Sequence, residues 1–239
     1  EIDTRYDVIC VSFAVPASSS DLTMQFIPEG ASQIEFINQI NNLRNTGKQV
    51  LLSIGGAGPS FSMPDAQSRI DFVSSMNSLL DTYPFDGIDI DIEAGNTILA
   101  SGSIASPSAV DCQNLIDAIL EIEAHFNATH VNPMVLSFAP ETAYVQGGMS
   151  AYGGIWGGYL PVLDALREQI DFIHVQLYNS GSMYGIDGNV YTAGTPDFIV
   201  SCSEALIQGF GTAGGFFEGF PANKVVVGLP ACSNAAGSG

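Results

Sequence analysis

Three carboxyls stand at every second residue of Phe85-Asp-Gly-Ile-Asp-Ile-Asp-Ile-Glu93, where Asp89, Asp91 and Glu93 alternate with Ile88, Ile90 and Ile92. A two-residue period belongs to a strand, here with one greasy face and one acidic face. At about 3.3 Å per residue, neighbouring acids lie roughly 7 Å apart and Asp89 stands about 13 Å from Glu93. With an effective dielectric near 20, two charges about 7 Å apart repel by roughly 2 kcal/mol, more than one pK unit. The row should therefore titrate as a coupled set with one or more acids held protonated, which makes it a store for a proton donor.

Two other readings of the row fail on physical grounds. An exposed strand rarely sets three like charges in line without cations opposite, and this chain has only six Lys plus Arg. A single Ca²⁺ gathers its oxygens within about 2.6 Å, whereas outer carboxyls about 13 Å apart on a rigid strand cannot converge on one ion. No metal is expected on the row, and acid catalysis is the reading that survives.

The elements around it alternate in type. Residues 6–14 form a short apolar, β-branched run that reads as a strand buried on both faces, with Cys10 as a buried free thiol. A polar loop with Ser18, Ser19 and Ser20 follows. A helix over residues 31–46, with Ile34, Ile37, Ile40 and Leu43 at helical spacing, stops at Gly47. A strand over 49–54 runs into Gly55 and Gly56, where a ligand could approach the backbone or an ordinary turn could form. A helix over 65–82, with Ile70, Val73, Leu79 and Leu80 on its apolar side, leads into the acidic strand.

Beyond the acids, a helix over 109–126 precedes a strand at 134–139 that ends at Pro140-Glu141. The Gly- and Tyr-rich loop 144–158 holds the single tryptophan, Trp156, which could stack on a sugar ring or simply pack. The strand 172–179 puts His174, Gln176 and Tyr178 on one face. His174 lies deepest and reads as a satisfied core histidine, while Gln176, Tyr178 and Asn179 reach the end where parallel α/β folds bind ligands. A helix over 196–210 and a strand over 224–230 complete the chain. Regular βα alternation predicts a parallel sheet, and polar residues gathered at strand ends favour a barrel over a doubly wound sheet.

Composition narrows the function classes. The 239 residues are 46% hydrophobic and suit one domain with a sizeable core. No apolar run approaches the roughly 18 residues of a membrane span. No basic segment with a hydrophobic signal core opens the sequence, so either a leader has been removed or the sequence starts inside the protein. A net charge of −19 repels phosphate backbones and anionic membranes and is compatible with a neutral polymer as substrate and a secreted setting. Cys10, Cys112, Cys202 and Cys232 form no CxxC pair, which leaves zinc or dithiol chemistry little support and disulfide pairing open. Asn127-Ala-Thr129 is a glycosylation acceptor pattern that matters only in a eukaryotic secreted chain.

The residues also carry a resemblance. Asp86-Gly-Ile-Asp89-Ile-Asp91-Ile-Glu93 resembles the DxxDxDxE signature of family 18 glycoside hydrolases, the chitinase family. Ser53-Ile-Gly55-Gly56 is similar to that family's SxGG, and Gln176-Leu-Tyr178-Asn179 to its QxYN-type motif. The resemblance implies a TIM-type (β/α)8 barrel and a retaining, substrate-assisted mechanism without a cofactor, in which the sugar's own acetamido group is the nucleophile. Glu93 would protonate the glycosidic oxygen and later activate water against an oxazolinium ion. Asp91 would hold the acetamido N–H, Asp89 would share a proton with Asp91, and Tyr178 would bond the acetamido oxygen. Gln176, Asn179, Glu141, Ser53, Gly55 and Trp156 are the candidate sugar contacts. Chitin or chito-oligosaccharide is the implied partner, an endo-β-N-acetylglucosaminidase acting on glycan cores and a silent chitin-binding lectin being the alternatives.

The sequence departs from the family in strand number. The strand at 6–14 corresponds to the family's second and that at 224–229 to its seventh, so about six βα units are expected within a single, partial barrel domain over 1–239. Nothing before Tyr6 or after Ala231 reads as a strand. The sequence is expected either to be part of a longer chain or to form an opened barrel whose edges need cover.

Overall fold

The computed structural model describes residues 2–237. In chain order the main elements are β1 (Val8–Ser18), β2 (Asp21–Gln25), α1 (Gln33–Asn45), β3 (Gln49–Gly56), α2 (Ala66–Thr82), β4 (Gly87–Ile92), α3 (Val110–Thr129) and β5 (Val135–Phe138). There follow α4 (Leu160–Ala165), β6 (Phe172–Gln176), the small hairpin strands β7 (Met183–Tyr184) and β8 (Val190–Tyr191), α5 (Pro196–Gln208), a second small hairpin of β9 (Phe210–Thr212) and β10 (Gly215–Phe217), and β11 (Val225–Gly228). Seven strands form one sheet in the order β11-β6-β5-β4-β3-β1-β2. Every neighbouring pair is parallel except β1 with β2. The six parallel strands expected from the sequence are thus present as a partial TIM-type barrel, and among the described residues β1 and β11 do not close on each other.

The acidic strand lies in mid-sheet. Ile88, Ile90 and Ile92 are 0 to 1% exposed and pack outward into the helices, so Asp89 and Asp91 turn to the inner face. Asp86, just before β4, ties the strand's N-terminal end down. Its carboxylate accepts from Arg44 Nε and from the Val50 amide, each at 2.9 Å. The helices follow their own end signals. Ser32 and Glu35 form a reciprocal capping box on α1, and Gly47 at φ 85° donates back to Arg44 O to end it.

Several expectations are corrected. Strand β1 is mostly half-buried or exposed, because residues 8–14 pair with β3 on one side and have no strand on the other among the described residues. Cys10 is accordingly an exposed free thiol, and all four cysteines are free. The polar loop expected at the serines 18–20 is the tight tip of the β1–β2 hairpin. That hairpin is fixed by buried Leu22 and Met24, the latter donating its amide to Ser75 Oγ at 2.8 Å. Ile34 and Ile70 point to solvent, while Ile40 on α1 and Phe72, Val73, Met76 and Leu80 on α2 meet the sheet. The loop 144–158 is entered through a 3₁₀ turn at Thr142–Tyr144 and contains a second at Gln146–Met149.

Candidate active site

Ladder register stacks the inner-face residues in two layers. Asp89 sits opposite Ser53 of β3 and Ser137 of β5, and one layer higher Asp91 sits opposite Gly55. The lower layer is a cradle. Asp89 Oδ1 accepts from Ser137 Oγ at 2.6 Å and pairs with His174 Nε2 at 2.8 Å, while Oδ2 accepts from Ser53 Oγ at 2.8 Å. Burial works against the charge of Asp89, yet its His174, Ser137 and Ser53 partners outweigh that and hold its carboxyl below the usual range. Asp89 is therefore a fixed anion at the base of the site.

Asp91 behaves in the opposite way. Burial, then the charge of Glu93, then that of Asp89 push its carboxyl up to about 8, so near neutral pH it holds a proton. Gln176 joins the two upper acids, its Nε2 lying 2.9 Å from Asp91 Oδ1, 3.0 Å from Glu93 Oε1 and 2.9 Å from Ala139 O. One amide with two protons faces three acceptors. Acids some 7 Å apart along an ideal strand are thus drawn together at its end.

A cleft of about 250 Å³ opens over this row, lined by Asp89, Asp91, His174, Gln176 and Tyr178, with Cys10 and Phe13 along the β1 side. The peptide bond between Ser12 and Phe13 is cis. Tyr178 is half-buried and lines the cleft beside Asp91, and burial, then the charges of Asp91, Glu93 and Glu141, push its hydroxyl up. Glu141 pairs with Gln176 through an isolated bridge and is raised by burial and by Glu93. Asn179 follows with φ 49° on the exposed side.

The other three predicted contacts lie as follows. Ser53 lines the floor of the cleft, is 3% exposed and gives its hydroxyl proton to Asp89. The space left by Gly55 is taken by the strand beside it, since a Cβ there would lie 2.3 Å from Asp91 O. Trp156 does not line the cleft, and its ring covers Gly147, where a Cβ would meet it at 2.6 Å.

Four further residues shape the site without having been singled out for it. His174 is satisfied as expected, but by Asp89 and at the wall of the cleft rather than in the core, and Ser137 is the shortest donor to the same acid. Tyr159, fully buried, donates to Ile92 O at 2.7 Å and accepts from Ile92 N at 2.9 Å, and Tyr144 donates to Glu93 O at 2.9 Å. The two-residue period was a signal for Ser137 on its strand, but the tyrosines come from an irregular segment with none. One possible ligand set is present as well: donor atoms of Cys10, Asp89 and His174 lie within 4.8 Å of one another.

Known proteins resemble the chain over its whole length. The family model for glycosyl hydrolases family 18 matches residues 3–238. Chitinase Chi52 of Paenibacillus xylanexedens is 44% identical over 243 residues, covering all of this chain and 46% of that protein, and chitinase D of Niallia circulans is 44% identical with the same coverage. The chain thus spans about half the length of these relatives. Among solved structures, a family GH18 chitinase from Chromobacterium violaceum superposes with a TM-score of 0.88 at 37% identity, over all of this chain and 62% of that one.

Proposed function

Because the chain belongs to glycosyl hydrolase family 18, we propose that it is the catalytic β/α unit of a retaining glycosidase that cleaves β-1,4-linked N-acetylglucosamine polymers, chitin above all, by substrate-assisted catalysis. The observation that carries this reading is the single Gln176 amide shared by a proton-holding Asp91 and by Glu93.

In this reading the Asp91–Glu93 pair enters the reaction with one proton between them. Glu93 passes it to the glycosidic oxygen as that bond breaks, and Asp91 is left as an anion facing the acetamido N–H. The acetamido oxygen forms the new bond to the anomeric carbon, giving the oxazolinium ion. Tyr178 is suited to hold that oxygen in line by its hydroxyl. Glu93, now a carboxylate, takes a proton from water as the water opens the ring, which restores the starting state. Asp89 stays ionised throughout and favours the positive charge developing above it. Asn179 and Glu141 are assigned to the sugar beside the reacting one. The whole of 1–239 is taken as one such unit. The acidic surface suits an extracellular enzyme, and no helix among the described residues is long and apolar enough to cross a membrane.

The test is release of a fluorescent aglycone from a chitobiose glycoside, beside Glu93→Gln. Turnover that falls by about 10²- to 10⁴-fold in the variant supports the reading. A protein that binds chito-oligosaccharide without turning it over is a lectin, and one that cleaves glycan cores but not chitin oligomers is the endo-β-N-acetylglucosaminidase.

A further inference from the structure

Beneath the acid row lies a donor set of different chemistry. Cys10 on β1, Asp89 on β4 and His174 on β6 present a sulfur, a carboxylate oxygen and a ring nitrogen, all within 4.8 Å of one another. They come from three separate strands of one rigid sheet and line the same cleft, so an approaching cation meets them together. A thiolate, an imidazole and a carboxylate are the ligands of a thiophilic divalent cation and a poor set for Ca²⁺ or Mg²⁺.

The distances suit such an ion. Zn²⁺ bonds sulfur at about 2.3 Å and nitrogen or carboxylate oxygen at about 2.0–2.2 Å, so tetrahedral donors end roughly 3.3 to 3.6 Å apart. His174 Nε2 and Asp89 Oδ1 stand 2.8 Å apart. A cation seated between them would replace the proton they now share and part them by about half an ångström. Three protein donors leave a fourth position facing the cleft, open to water.

We propose that Cys10, Asp89 and His174 form a site for Zn²⁺ or a divalent cation of like softness, and that its occupation blocks hydrolysis. On binding, the Cys10 thiol gives its proton to water as the sulfur–metal bond forms, and His174 presents the Nε2 lone pair with its ring proton on Nδ1. The blockade follows because the metal neutralises Asp89, directly below Asp91, and fills the floor of the cleft. That second half rests on the glycosidase reading, whereas the binding half stands without it.

The decisive experiment titrates the reduced, chelator-stripped protein with Co²⁺ as a spectroscopic substitute for Zn²⁺. It uses the Cys232→Ser background, since Cys112 and Cys202 are buried and Cys232 is exposed. A thiolate-to-cobalt charge-transfer band that saturates at one equivalent, is displaced by Zn²⁺ and vanishes in Cys10→Ser is the expected result. No band, or one that survives Cys10→Ser, overturns the site. Should that variant fail to fold, the site is tested instead by whether Zn²⁺ protects Cys10 from alkylation in the unsubstituted protein, and alkylation at an unchanged rate overturns it. On the fluorogenic chitobioside, saturating Zn²⁺ should slow turnover about tenfold or more, and less than about twofold in Cys10→Ser. A band without slowing overturns the blockade. A metal-free protein silent toward the glycoside overturns the glycosidase reading and leaves the band to decide the site.

Discussion

The hydroxyl of Tyr159 takes the place of a missing strand beside Ile92. Strand β5 last pairs with β4 where the Ala139 amide reaches Ile90 O at 2.9 Å, and two residues on, the amide and carbonyl of Ile92 face the same side. Tyr159 Oη satisfies both, at 2.9 and 2.7 Å. The last residue before Glu93 is thereby held on the β5 side, where its ladder has ended, while β3 still flanks it on the other. Removing that hydroxyl in Tyr159→Phe leaves two buried ladder groups unpaired. A loss of about 1–3 kcal/mol is expected, read by urea denaturation, together with a lower kcat as Glu93 loses its footing. A variant as stable as the parent would mean that the hydroxyl does not stand in for the strand.

Asp91 makes stability depend on pH in a direction unusual for a carboxyl. Its native value near 8 lies well above that of an unfolded aspartate, so between roughly pH 4 and 8 the native state holds the extra proton. This contribution to stability is complete below about pH 4 and declines as pH rises, by up to about 1.4 kcal/mol per unit, until about pH 8. Denaturant midpoints measured across that range should slope downward in the parent and be flatter in Asp91→Asn.

Asp89 has the reverse dependence. Its lowered carboxyl stabilises the native state above the ordinary aspartate range, and that contribution is lost as pH falls through the native value. Ser137→Ala removes the 2.6 Å donor from this buried anion. The expected cost is about 1–3 kcal/mol, with acid unfolding moved to higher pH. An unchanged acid midpoint would mean that the hydroxyl is not what keeps Asp89 ionised.

Gln176→Leu keeps much of the volume and removes the amide that spans Asp91 and Glu93. Turnover of the chitobioside should fall by about tenfold or more, and the alkaline limb of the pH–rate profile should shift relative to that of the parent, because the amide helps set the raised Asp91 carboxyl. A fall in rate with the limb unmoved would assign Gln176 to sugar contact alone.

The sheet and its acid row were legible because both rest on period. Alternating Ile and acid residues mark β4 whatever surrounds it, and the same rule put His174, Gln176 and Tyr178 on one face. What escaped depends on partners distant in sequence. His174 became the mate of Asp89 only when two strands, 85 residues apart at these positions, were laid in one sheet. Tyr144 and Tyr159 sit in irregular chain with no period to read. Apolar spacing misplaced Ile34 and Ile70 because a helix with apolar residues on more than one side does not say which side meets the sheet.

Asp86 opens the acidic signature, yet it works at the far end of the strand from Glu93, fastening Arg44 and the Val50 amide. The four acids are therefore two devices written in one line: a foundation bolt and a working edge. A chain could surrender its chemistry at Glu93 and keep the bolt, because Asp86 answers to folding and not to substrate. Anyone mining genomes for enzymes of this type should weight Glu93 and Asp91 apart from Asp86, since a score that sums all four will rank well-built dead relatives beside live ones.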